Sequence, residues 1–333
     1  MVQNNYNQPL QQPVGSGFNA VSTANEVTNG IDLTGKIAVV TGGNAGIGLE
    51  TTRILAAAGA TVIVPARDIE KARKNLDGIP NVELAKIDFM DPASIDEFAE
   101  TFISTGRPLH LLINNAGVMW VPLRKDSRGI ESQLATNYLG QFHLTAKLWP
   151  ALKMANGARV VNVSSLGHHM APFNFEDPNF IHREYQTLQA YGQSKTASNL
   201  FTVALDNFGR QFNVRAYSLH PGSINGTELG REASVELFQQ MGFLDSEGQL
   251  LPEVAASLKT VPQGAATTVW CATSPLLDEI GGVYCEDCDI ARLSSESDEG
   301  LRGVKPYSLD ETNARNLWKW SEQITGIRFG SLA

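Results

Sequence analysis

Cysteine is scarce in this chain, with three in 333 residues: Cys271, Cys285 and Cys288. An odd, low count argues against a disulfide framework and fits a reducing compartment, so a cytoplasmic location is expected. Cys285 and Cys288 form one CxxC, which lacks the four ligands of a closed zinc site. It follows the strand-like Gly282-Val283-Tyr284 instead of opening a helix, so packing is the expected role and no metal is expected. Long apolar runs are missing as well. No stretch reaches the ~20 residues needed to cross a bilayer. Residues 1–30, rich in Asn, Gln, Ser and Gly, carry neither the basic start nor the apolar centre of a secretory signal. Positive charge is in deficit, 26 Lys and Arg against 35 Asp and Glu, for a formal net charge of -9. That balance disfavours nucleic acid and membrane surfaces as partners. No repeat of solenoid length is present.

What remains is an ordinary globular mixture, 42% hydrophobic and 18% charged, able to bury one large core. Residues 1–30 bury too little apolar surface to offset ordering entropy and are expected to form a disordered or loosely packed extension. Residues 31–333 read as a single domain. Short β-rich runs begin at Ile37, Thr61, Val82, Leu109, Arg159, Val214 and Gly282; helix-like stretches follow the first three, and an amphipathic stretch through 130–155 precedes the fifth. The alternation predicts a Rossmann-type, doubly wound α/β fold: a mainly parallel seven-stranded sheet with helices on both faces. Two features depart from the rhythm. An insertion at about 223–262 is a candidate mobile lid, and a last helix over Asp310–Thr325 should dock on the domain.

The first β-run leads into Thr41-Gly42-Gly43-Asn44-Ala45-Gly46-Ile47-Gly48, with glycines spaced G-xxx-G-x-G. Glycines are needed where backbone turns sharply against a pyrophosphate, and the helix that follows aims its N–H groups at the anion. Gly42, Asn44, Gly46, Ile47 and Gly48 are therefore candidate cofactor contacts. This pattern, with Asn114-Asn115-Ala116-Gly117 after the fourth strand, resembles the short-chain dehydrogenase/reductase family. The resemblance implies a nicotinamide cofactor and places Asn114, Ala116 and Gly117 beside it. NAD enzymes set an acidic residue at the end of the second strand. By resemblance Ala66 holds that position here and Arg67 follows, a guanidinium suited to a 2′-phosphate, so NADP(H) is favoured and NAD(H) stays open. Asp88, ending the third strand, is placed at the adenine by resemblance, with a turn cap as the alternative.

Tyr191-Gly192-Gln193-Ser194-Lys195 is a YxxxK, whose tyrosine and lysine share one helix face. A nearby ammonium is expected to lower the tyrosine pKa and fit it to pass a proton as hydride moves. By resemblance Ser165 is the partner serine, with Ser164 the alternative, and Lys195 also holds the nicotinamide ribose. Asn137 is the family's helix-bending asparagine that holds a relay water. Pro221 and Gly222 contact the nicotinamide, and Thr227, one residue beyond the usual spacing, lines up with a threonine that binds its amide. Tyr185 has Gln189, not lysine, four residues on and cannot play the catalytic part.

The runs Asn114–Met119 and Asn162–His169 resemble the retinol dehydrogenase and WW-domain oxidoreductase branch. The implied function is interconversion of an aldehyde or ketone and its alcohol. The implied partner is a small, fairly apolar substrate, with Trp120, Phe173 and Phe175 either at the pocket mouth or in packing. His168 and His169 border the pocket or cap a turn. Family members are commonly dimers or tetramers, so a homo-oligomer stays open. Two rival readings are a non-catalytic dinucleotide sensor and an epimerase or dehydratase of the same fold.

Overall fold

Apolar, β-branched runs form the sheet because they fit a surface buried on both sides. In the computed structural model, which describes residues 11–224, 227–295 and 301–329, its strands are β1 (Ile37–Val40), β2 (Thr61–Ala66), β3 (Val82–Lys86), β4 (Leu111–Asn114), β5 (Ala158–Val163), β6 (Val214–His220), β7 (Val283–Glu286) and β8 (Asp289–Ile290). The order is β3-β2-β1-β4-β5-β6-β7-β8. The first seven strands pair in parallel, and β8 returns antiparallel on β7. The expected seven-stranded sheet is thus extended by one two-residue strand. The turn into it holds Asp287 and Cys288 at φ 51 and 62, a backbone shape with no strong sequence signature. Strand order reverses between β1 and β4, so their carboxyl ends open the crevice in which doubly wound sheets bind ligands.

The helices follow the expected alternation. A short α1 (Ala24–Val27) precedes the sheet, and α2 (Gly46–Ala57), α3 (Ile69–Asn75) and α4 (Pro92–Ser104) follow the first three strands. The stretch through 130–155 is not one helix. It divides into α5 (Ser132–Leu134), a π-helical turn at Ala135–Leu139, α6 (Gly140–Lys147) and α7 (Trp149–Met154). Pro150, which cannot donate to the preceding turn, stands at the start of α7. Next come α8 (Thr187–Gly209), α9 (Val235–Gln240), α10 (Pro252–Ser257), α11 (Val261–Thr273) and α12 (Glu311–Thr325).

Alternation along each strand feeds two cores. Val39, Ile63, Leu112, Val160 and Ala216 pack with residues of α4, α6 and α8. Ala38, Val40, Val62, Ile113 and Val161 face α2 and α11 on the other side. The helix expected over 310–325 docks as α12, capped by Asp310 at its start and by left-handed Gly326 at its end. Its Trp318 meets Phe329 at 4.4 Å, Phe208 at 5.5 Å and Phe142 at 5.6 Å between ring centroids.

The extension expected to be loose is anchored from residue 11 onward; residues 1–10 lie outside the described part. Gln11 Nε2 donates to the carbonyls of Tyr284 and Ala291, and its side-chain oxygen accepts from Tyr284 N–H. The Asp289 carboxylate accepts from the N–H groups of Val14, Gly15 and Ser16 at 2.8, 3.0 and 3.1 Å. Composition gave no sign of this strap, because its partners, the backbone of Tyr284 and Ala291 and the Asp289 carboxylate, lie more than 270 residues along the chain.

Candidate active site

The glycine turn joins β1 to α2. Gly42 and Gly46 take φ of 64 and 51. A Cβ on Gly48 would lie 2.2 Å from the Gly42 carbonyl oxygen, so only glycine fits. The turn is braced from the neighbouring strand. Asn115 Nδ2 donates to the Thr41 carbonyl at 2.9 Å, and the Thr41 hydroxyl accepts from the N–H groups of Asn115 and Ala116, each at 2.9 Å. Ala45 caps α2 without any side-chain acceptor, leaving the first N–H groups of the helix for an anion. The cradle therefore fits a dinucleotide pyrophosphate. Asn44 ties the loop to α3 by accepting from Asn75 Nδ2 through its carbonyl at 3.0 Å.

Not every expected cofactor residue points at the cradle. Asn114 is 4% exposed and spans the sheet interior, donating to Asn162 Oδ1 at 2.8 Å and Thr145 Oγ1 at 3.2 Å. Asn115, which sequence reasoning passed over, is the asparagine that holds the glycine turn. Its signal was position alone, the first residue past a strand that pairs with β1. Asp88 accepts from Met90 N–H at 2.9 Å, the turn-capping alternative. At the end of β2, Ala66 is buried and Arg67 exposed. Asp68 turns its carboxylate to the Lys71 N–H at 3.0 Å as the cap of α3.

The YxxxK lies in the first turns of α8, against the end of β5. Tyr191 is 2% exposed and Lys195 4%. Lys195 Nζ donates to the Val163 carbonyl at 2.9 Å and stands 5.6 Å from the Tyr191 ring centroid. Ser164 spends its hydroxyl on the Lys195 carbonyl at 3.1 Å. Ser165 is the serine that comes up to Tyr191: a Cβ built on Gly167 would touch both the Ser165 hydroxyl and the Tyr191 ring, and that hydroxyl pulls the phenol's proton affinity down. The serine oxygen also accepts from Gly167 N–H at 2.9 Å, which fixes the rotamer. A Cβ on Gly167 would lie 2.5 Å from the Tyr191 ring, so this glycine lets the serine loop close on the tyrosine.

Burial dominates the electrostatics. The Tyr191 phenol is pushed up to about 12, with the Ser165 bond pulling the other way. The expected lowering by a neighbouring ammonium is not found: desolvation of the phenolate is the largest influence, and the lowering pull comes from Ser165. Burial pushes Lys195 down to about 8. Near neutrality the pair is thus a protonated phenol beside a lysine close to its titration point.

Asn137 sits in the π-helical turn, where the helix widens. Its Oδ1 accepts from Val118 N–H at 2.8 Å, and its Nδ2 donates to the Val118 carbonyl and to Ser194 Oγ, both at 2.9 Å. It clamps the segment after Gly117 to α8. His168 caps the serine loop: its ring nitrogens meet the Ser165 carbonyl at 2.7 Å and the Lys305 N–H at 3.1 Å, and burial pushes it down to about 3. Tyr185 donates to the Val121 carbonyl at 2.9 Å, away from Lys195.

Beyond β6, Gly222 takes φ of 96, and a Cβ there would strike the Lys259 side chain at 2.5 Å. Pro221 is buried beside it. Thr227 lies over the glycine turn, where a Cβ on Gly46 would be 3.5 Å from its methyl group. The 227–262 segment forms a cover. Phe238 and Phe243 rest on Trp120 at 5.2 and 6.1 Å between centroids. Phe173 and Phe175 instead pack on each other, and Phe173 on Trp320 of α12.

Residues 36–236 match the family described as short chain dehydrogenase. A Streptomyces lividans protein named "Probable oxidoreductase" is 42% identical over 296 residues, covering 87% of this chain and 97% of that protein. Human retinol dehydrogenase 12 is 36% identical over 305 residues, covering 90% and 89%. Among solved structures, an uncharacterised Mycobacterium paratuberculosis protein is 30% identical with a TM-score of 0.69, covering 94% of this chain and 99% of its own.

Proposed function

The chain belongs to the short-chain dehydrogenase/reductase family, in its retinol dehydrogenase-like branch, and from that premise we propose an NADP(H)-dependent oxidoreductase that interconverts an aldehyde or ketone and its alcohol. The observation that carries the reading is the convergence of Ser165, Tyr191 and Lys195 at the end of β5, facing the crevice of the glycine turn. The bound nicotinamide supplies or accepts the hydride. Ser165 donates a hydrogen bond to the substrate oxygen and steadies the negative charge that develops there. Tyr191, held protonated by burial, gives its proton to that oxygen in reduction and takes it back in oxidation. Lys195 offers a positive charge one helical turn away, and the Asn137 clamp keeps the Gly117–Val118 segment and α8 in register.

Ala66 in place of an acid and the exposed Arg67 beside it support NADP(H) over NAD(H). Met119, Trp120, Phe238 and Phe243 give the cover an apolar underside, which supports an apolar substrate. No helix among the described residues is long and apolar enough to cross a membrane. A cytoplasmic location suits the three free, buried thiols. The test follows NADPH absorbance over a panel of aldehydes and ketones with wild type and Tyr191→Phe. Turnover in the wild type, lost in a variant that still binds NADPH, is expected. Full activity in Tyr191→Phe overturns the assignment.

A further inference from the structure

Two carboxylates open the cover, and each meets a cation of the opposite wall. Lys71 Nζ donates to both oxygens of Glu228, at 2.9 and 2.8 Å. Arg124 holds Glu232 at 2.6 Å. Arg124 keeps the Glu232 carboxyl below its usual range, with smaller pulls from Arg231 and Arg67. Lys71 lies one turn into α3, just past Arg67, while Thr227 stands over Gly46. Residues 227–232 therefore run from the glycine turn to the end of β2, along the path a dinucleotide takes to bring its adenosine end to Arg67.

We propose that Glu228 occupies a cation of the 2′-phosphate site, so that this phosphate and the cover compete for Lys71. The inference rests on the NADP(H) reading. A phosphate monoester carries close to two negative charges, a carboxylate one. Lys71 and Glu228 have side chains 46% and 52% exposed, and an ion pair that wet exchanges partners at small cost. A 2′-phosphate that captures Lys71 leaves Glu228 with Arg231 of its own segment, 3.7 Å away, as its remaining cation, and repulsion between the carboxylate and the dianion pushes the start of the cover outward. A cofactor without that phosphate leaves the pair in place. Glu228 thus sets how strongly the chain favours the phosphorylated cofactor, and the 2′-substituent sets how the cover is pinned. A carboxylate 157 residues from its lysine gives the cover a contact with the cofactor's far end.

The test compares adenosine 2′,5′-bisphosphate with adenosine 5′-monophosphate by calorimetry, on wild type, Glu228→Gln and Lys71→Gln. Limited proteolysis of the cover is followed in parallel. Glu228→Gln is expected to tighten the bisphosphate about fivefold, the low end of ordinary coupling between sites, and to leave the monophosphate unchanged. Lys71→Gln is expected to weaken the bisphosphate alone. The bisphosphate should speed cleavage within 227–262 in wild type and have no such effect in Glu228→Gln, where the pin is already loose. If wild type prefers the bisphosphate and Glu228→Gln changes neither affinity nor cleavage, the exchange is overturned and the NADP(H) reading stands. If wild type holds both nucleotides equally, the NADP(H) reading falls and takes the exchange with it.

Discussion

The floor of the cleft and its cover are held by different physics. On the floor, Tyr191, Lys195, Ser194 and Asn137 are each at most 5% exposed, and their polar atoms are matched inside the protein. The cover has helices α9 and α10, neither with a buried residue, and its attachments include surface ion pairs and the contacts of Phe238 and Phe243 with Trp120. Buried networks rigidify a site, whereas exposed pairs contribute little and yield readily. The lesson is a division of labour: the proposed chemistry sits on buried elements that resist movement, and the proposed recognition on exposed elements that yield.

Substitutions can break or sharpen that contrast. The largest effect is expected from Tyr191→Phe on the floor, a loss of about 10³-fold in kcat at unchanged NADPH affinity, read by turnover and fluorescence titration. Next is Trp318→Ala, beneath α8. Emptying that aromatic cluster should cost about 3–5 kcal/mol in chemical denaturation, far more than any change in the cover. The pH profile tests the floor's charge. Lys195 is cationic below about 8, and the phenol keeps its proton to about 12. Lysine is therefore the first of the two to titrate as pH rises, and kcat/KM for reduction should fall above about pH 8. A flat profile through pH 10 would detach Lys195 from the reaction. Arg67→Ala should raise the KM for NADPH roughly tenfold and leave that for NADH in place, the scale of a lost charge-assisted bond. Smallest is Phe238→Ala in the cover. Substrate KM should rise about threefold with Tm unchanged, because the residue lies outside both large cores. A fall of several degrees in Tm would mean the cover is part of the floor after all.

The floor and the place of the cover at about 223–262 were legible in the sequence, but what pins the cover was not, for a physical reason. Glycine spacing, strand alternation and the Tyr191–Lys195 interval are local patterns, each imposed by backbone geometry within a few residues. The choice of Ser165 over Ser164 rested on resemblance alone in the sequence, and its physical reason, that α8 consumes the Ser164 hydroxyl, came only with the structure. The tyrosine's proton affinity went the other way from expectation, since pattern reveals a charged neighbour but not the depth of burial. Asn115, the Glu228–Lys71 pair and the strap at residues 11–16 are long-range matches whose partners are fixed only when the fold brings them together. A bend at Asn137 was expected from the resemblance, and its form, a π-helical turn over Ala135–Leu139, came with the structure.

The strap also has a consequence in time. Gln11 is made 273 residues before its partner Tyr284. At ordinary elongation rates the interval is roughly 15–50 s. Throughout it the strap has nothing to bind, because the β7–β8 hairpin does not yet exist. Its docking therefore waits for the last strands of the sheet and ties down their edge only after the strands before them have been made.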